Sequence, residues 1–254
     1  MSFLAHVFGW LTSSANWTGP EGIPLLFWHQ LTLSVAVVAT AVVLGGGLGV
    51  ILGHTGRGGL VAVNAANAFR AVPTLALLTL LAIQPSISLK WNGFLAAWLA
   101  LTALAIPPIL TNTYVGVREV DPDARDAARA MGLTGSQVLR LVEAPLAAPF
   151  VMAGVRIASI EVVATSTLAA YVSYTDLGTY IITGLNTNDS VLAFSGALLV
   201  AAMAGLVALV LGLVTRVVTP RPLRHHRGEW RAPGTAALPQ PAVAADSETQ
   251  GAPA

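Results

Sequence analysis

The chain has no cysteine and little charge: Asp, Glu, Lys and Arg make up 10% of its 254 residues, against about 25% in an ordinary soluble domain. Without cysteine there is no disulfide and no thiolate metal site. So little charge beside 55% hydrophobic residues excludes a disordered chain, a nucleic-acid-binding domain and most soluble enzymes. Lys and Arg are absent from the first 56 positions, which argues against a secretory signal with a basic leading region. There is no Walker A sequence, no G-x-S-x-G and no cluster of metal ligands. The pair His225-His226 stands alone near the C-terminus and reads as incidental. Catalysis and a bound cofactor are therefore not expected of this chain.

What is present is long apolar runs. A bilayer core of about 30 Å takes roughly 20 apolar residues per helical span. Five segments qualify: 31–53, 60–83, 93–117, 147–171 and 191–215. Strands of a β-barrel would be shorter and alternating, so the expected fold is an all-α integral membrane protein. The basic residues are unevenly placed between these spans. Arg57 follows the first, Lys90 the second, and Arg118, Arg125, Arg129 and Arg140 the third. None follows the fourth, and Arg216, Arg221, Arg224, Arg227 and Arg231 follow the fifth. Alternate connections thus carry ten basic residues against one. The positive-inside rule assigns the rich side to the cytoplasm. With five spans, the N-terminus then lies outside. Residues 1–26 form an extracytoplasmic segment, in which Phe3, Leu4, Val7, Phe8, Trp10 and Leu11 have the spacing of a short interfacial helix, with a plain disordered end as the alternative. Residues 219–254, rich in Pro, Ala and Arg, read as a disordered cytoplasmic tail that anchors the topology.

Gly45, Gly49 and Gly53 recur every four residues in the first span, as do Ala193, Ala197, Ala201 and Gly205 in the fifth. Small-residue ridges of this kind let helix backbones approach closely in lipid, within one chain or between two. The polar residues inside spans mark a candidate pathway: Asn64 and Asn67 in the second span, Asn112 in the third, and Glu161 and Thr165 in the fourth; Arg70, three residues after Asn67, and Arg156 in the fourth span read rather as salt-bridge or snorkelling residues. Ionisable groups at membrane depth are functional candidates, with an inter-helix salt bridge as the alternative. Pro73 should bend or break the second span, and Pro107 and Pro108 should kink or unwind the third.

The most informative stretch is 118–145. Asp121 is placed to N-cap a helix with Pro122 at its first position. Gly132 is placed to end that helix in the left-handed conformation. Thr134 and Gln137 form the pattern of a capping box that opens a second helix, expected to stop near Pro145. Two short helices about a glycine elbow suit a surface loop, a DNA-binding helix-turn-helix or a docking element. Four Arg against five acidic residues over 118–143 speak against DNA, since phosphate binding needs a basic face.

The stretch Asp126-Ala127-Ala128, three residues, Gly132, nine residues, Val142-Glu143-Ala144-Pro145 resembles the EAA loop of ABC-importer permeases, E-A-A-x3-G-x9-I-x-L-P. The spacing matches throughout; Asp126 for Glu and Ala144 for Leu are departures. The resemblance extends over residues 29–215 and narrows to the osmoprotectant (glycine betaine, carnitine, choline) permeases. It is carried by His29 to Ser34, Ala71 to Leu78, Pro108 to Tyr114, Ala153 to Arg156 and Thr167 to Ala170. Where that family usually has a glycine-rich turn before Leu177-Gly178, this chain has Ser173 to Asp176. The resemblance implies a permease subunit in the inner membrane of a prokaryote. Asp126, Ala127, Ala128, Gly132 and Pro145 would couple it to a separate cytoplasmic ATPase, which binds the ATP and Mg. An extracytoplasmic binding protein and a second permease subunit would be its other partners. The spans show no clustered aromatic box for a quaternary ammonium group, so such a cage is expected in the binding protein. A permease for another small solute such as an amino acid, or a membrane anchor without transport, remains an alternative.

Overall fold

The computed structural model describes residues 3–84 and 93–218. Their regular elements are all helical. The connection around Lys90 and the expected disordered tail 219–254 lie outside the described residues.

Helix α1 (Phe3–Thr12) is the short apolar N-terminal helix anticipated from its spacing. Helix α2 (Ile23–Thr55) is a 33-residue span, longer than 31–53 at both ends. At 1.5 Å per residue it reaches about 50 Å, well beyond the hydrocarbon core. Its middle, Val42–Gly46, is a wide π turn. The second expected span is two helices, α3 (Gly59–Phe69) and α4 (Thr74–Ile83), bent by 77°. Pro73 sits at the break in extended conformation. It has no N–H to give, and its ring disfavours helix in the residue before it.

Helix α5 (Phe94–Arg118) stands at the centre, packed against α2, α3, α4 and the fourth span. Of the kink or unwinding expected at Pro107 and Pro108, unwinding does not occur: the helix is continuous there, and both prolines are buried inside it. Neighbouring protein on several sides is the setting in which a membrane helix tolerates proline. A short helix α6 (Pro122–Ala130) follows. Then comes α7 (Gly135–Val172), 38 residues long. Here an expectation fails: the elbow's second helix does not stop at Pro145 but runs on as the fourth span. The five residues before Ala144, Leu139–Glu143, form a π turn. This widened turn lies where proline would otherwise break an α-helical ladder. Helix α8 (Gly178–Asn186) was not anticipated, and α9 (Ser190–Val218) is the last span.

The core lies where α2, α4, α5 and α7 meet, around Leu33, Val37, Leu78, Leu101, Ile109, Ala158 and Val162. A second cluster, with Leu26, Leu177, Tyr180 and Met203, joins α8 and α9 to α2 and α7. The glycine ridge of α2 packs within the chain. A Cβ at Gly45 would lie 3.0 Å from the Ile106 carbonyl oxygen, and one at Gly53 2.7 Å from Val117 Cβ. In the α9 ridge, Ala193 meets Gly184, while Ala197, Ala201 and Gly205 are exposed.

Candidate functional site

The elbow is built from its caps outward. The Asp121 carboxylate accepts from the Asp123 amide at 2.9 Å. Gly132 has φ +85°. Its amide donates to the Arg129 carbonyl at 2.9 Å, and the Leu133 amide to the Ala128 carbonyl at 3.2 Å. This pair of bonds is the Schellman arrangement, which a left-handed glycine makes possible. The Thr134 amide donates to Gln137 Oε1 at 2.8 Å, closing the capping box that opens α7. Asp126, Ala127 and Pro145 are exposed, but Ala128 is 2% exposed and faces the chain's own interior. Ala128 therefore holds α6 in place and offers no side chain to a partner. The protruding apolar group is Met131, 75% exposed.

Beneath the elbow lies a junction that the sequence reading missed. Glu143, in the π turn of α7, is 1% exposed. Its Oε2 is 2.6 Å from His54 Nδ1 in the last turn of α2, and its Oε1 is 3.0 Å from Arg125 Nε on α6. The Arg125 guanidinium also donates to the Val117 carbonyl at the end of α5. A single buried carboxylate thus ties together the ends of two spans, the elbow's first helix and the turn that leads into α7. The signal in the sequence was an acid between apolar neighbours, Leu141-Val142 before it and Ala144-Pro145 after it.

The polar groups at membrane depth separate into distinct places. Arg70, the residue that closes α3 at the break, has Nη2 3.0 Å from both carboxylate oxygens of Glu161 on α7. These side chains are 38% and 28% exposed. Asn64 and Asn67 are exposed on the same face of α3. Thr165 is half-buried one turn beyond Glu161. Asn112 is set apart, its side-chain amide donating to the Pro108 carbonyl at 2.8 Å. Arg156 lies against Gly212 of α9 and is not brought to the Arg70–Glu161 pair. A charge at a membrane-helix centre costs about 2.5–3.5 kcal/mol on insertion scales.

Outside the spans, Ser173 takes the left-handed conformation, φ +66°, at the turn where the resembled family has glycine. Asp176 follows, fully buried. Its Oδ1 accepts from the Gly178 amide at 2.8 Å where α8 begins, while Oδ2 has no hydrogen-bond partner. Burial pushes its carboxyl up to about 7, against the lowering effect of the Gly178 and Thr179 hydrogen bonds. A raised carboxyl pKa means the folded state holds its proton more tightly than the unfolded chain. Asp176 then costs nothing below about pH 4, and its cost grows as pH rises from there to about 7. Asp176→Asn should accordingly raise the thermal unfolding midpoint at pH 8 and give no advantage at pH 4. An advantage equal at both pH values would contradict this account.

Among the described residues no group of His, Asp and Glu is arranged to hold a metal ion. Apolar spans, one of them broken, with a helix–glycine–helix elbow between two of them, define the membrane subunit of a transporter. Residues 23–224 match the family model described as "Binding-protein-dependent transport system inner membrane component", and the chain belongs to that family. It is a multi-pass inner-membrane permease subunit of an ABC importer; in this family ATP hydrolysis belongs to a separate subunit.

The choline transport system permease protein OpuBB of Bacillus subtilis is 33% identical over 193 residues, 76% of this chain and 87% of that protein. The glycine betaine/carnitine/choline transport system permease protein OpuCB of the same organism is 33% identical over 77% of this chain and 88% of its own length. Among solved structures, the inward-facing MetNI methionine ABC transporter superposes with TM-score 0.67 at 24% identity, covering 76% of this chain and 94% of the other. An amino acid ABC transporter gives TM-score 0.60 at 20% identity, covering 85% and 97%. These two likenesses establish the fold alone.

Proposed function

We propose that this permease carries quaternary ammonium osmoprotectants such as glycine betaine, carnitine or choline into the cell. The supporting observation is its identity of about one third, over three quarters of its length, to permeases named for those solutes. The N-terminal segment 1–26 is extracytoplasmic, the permease domain spans 27–218, and the elbow and tail are cytoplasmic; the ten-to-one bias in basic residues supports this orientation. An extracytoplasmic binding protein delivers the solute. A second permease subunit, of the same or another sequence, covers the face that carries Asn64, Asn67, Arg70 and Glu161, so that the pathway runs along it. Glu161 and Thr165 face this pathway, while Asn112 is occupied with its own helix.

The ATPase, which binds the ATP and Mg, docks on the exposed rim of the elbow at Asp126, Ala127 and Met131. Gly132 sets the angle of that rim, Ala128 packs it from within, and Pro145 lies on the continuous helix that carries its movement into the fourth span. The test is reconstitution of the permease with its ATPase and binding protein in liposomes, followed by ATP-dependent uptake of labelled glycine betaine and choline. Uptake of neither would overturn the substrate reading. Gly132→Val should distort the elbow at a local cost of about 1–3 kcal/mol, because a β-branched residue is strained at positive φ. Met131→Asp should place a charge on the rim without disturbing the fold. Both variants should reach the membrane in normal amount and lose most of the co-purifying ATPase. Full ATPase retention by both would refute docking at the elbow.

A further inference from the structure

We infer that the Arg70–Glu161 pair is a recognition site for solutes that carry both a cationic and an anionic group. The inference rests on the pathway reading above. Three observations carry it. The first is that the pair is complete yet open: Arg70 Nη2 is 3.0 Å from both oxygens of Glu161, and both side chains remain partly exposed. The second is its place. Arg70 closes α3 at the 77° break, whereas Glu161 lies within the long helix α7. A change in the angle at residues 70–73 therefore alters the separation of the two charges. The third is the setting: Asn64 and Asn67 extend the same exposed face with neutral hydrogen-bonding groups.

Without solute, the two charges neutralise each other, which a site of low dielectric requires. A zwitterion can enter by exchange. Its carboxylate takes the Arg70 guanidinium, whose planar donors suit a carboxylate, and its ammonium group lies against Glu161. Every charge keeps a partner throughout. A solute with only a cation can pair with Glu161 but leaves Arg70 alone. The site should therefore favour glycine betaine over choline, and the preference should reside in Arg70, while Glu161 serves both.

The experiment is uptake by the full complex in liposomes, with KM measured for glycine betaine and for choline, and with ATPase retention checked for each variant. Arg70→Gln should raise KM for glycine betaine about tenfold and leave KM for choline unchanged or lower. Arg70→Lys should retain the preference. Glu161→Gln should raise KM for both solutes. The double variant Arg70→Gln with Glu161→Gln restores a neutral, hydrogen-bonding pair but should remain impaired for glycine betaine.

If both single variants impair the two solutes in equal proportion and the double variant restores uptake, the pair is a structural bridge. The inference then fails while the pathway reading stands. If no variant alters uptake of either solute, the pathway reading fails as well.

Discussion

Glu143→Ala should be the most damaging single substitution around the elbow of this permease. The carboxylate is 1% exposed and is the shared partner of His54 and Arg125. Removing it leaves the Arg125 guanidinium beneath the elbow without its counter-charge. Breaking a buried pair from one side typically costs about 3–5 kcal/mol, because an uncompensated charge stays behind. The surroundings cannot relax cheaply, since Arg125 is also held by the carbonyls of Val117 and Arg118 at the end of α5. The detergent-solubilised protein should unfold several degrees lower, and the ATPase should be lost on purification. Glu143→Gln keeps the shape and one hydrogen-bonding oxygen, so its effect should be smaller. Unchanged thermal stability of Glu143→Ala would show that the junction is not a clamp.

Gly49→Leu should separate α2 from α5. A Cβ at position 49 would lie 2.8 Å from Thr113 Cβ and 2.9 Å from the Leu110 carbonyl oxygen. The second neighbour is backbone and cannot turn aside. Overpacking a well-fitted interior costs about 1–3 kcal/mol when side chains can adjust. Here a helix must move, and Gly45 and Gly53 hold the same crossing on either side. Membrane abundance should fall sharply and the remaining protein should melt earlier. Gly47→Leu is the control two residues away: Gly47 is exposed, with nothing within 4 Å of its added Cβ, so this variant should accumulate normally. Equal abundance of the two variants would show that the glycine ridge does not set the α2–α5 distance.

The contrast between Gly49 and Gly47 shows where sequence reading succeeds and where it stops. The period of four identifies a ridge, but only the packed structure shows that the ridge of α2 is spent on α5 while Ala197, Ala201 and Gly205 of α9 stay exposed. The alanines of the elbow illustrate the same limit. Ala127 and Ala128 are adjacent and chemically identical, yet one faces outward and the other inward, because the elbow's own fold covers one side of α6. Pro145 points the other way. Its local effect is to stop a helix, and the helix runs on past it through the π turn before Ala144, just as α5 runs on past Pro107 and Pro108.

The sequence by itself determined what depends on neighbours a few residues apart. Apolar runs long enough to cross a bilayer became helices because a backbone in lipid must satisfy its own hydrogen bonds. Asp121, Gly132, Thr134 and Gln137 punctuated the elbow because caps and left-handed turns act within one helical turn. Pro73 broke the second span for an equally local reason. The tertiary structure alone decided which distant charges meet. Arg70 finds Glu161 across 91 positions, and His54 finds Glu143 across 89. Arg156, as good a partner for Glu161 by composition, lies against α9 instead. Local periodicity carries no information about such pairings. They follow from how the helices cross, and the crossings follow from close packing between residues far apart in the chain.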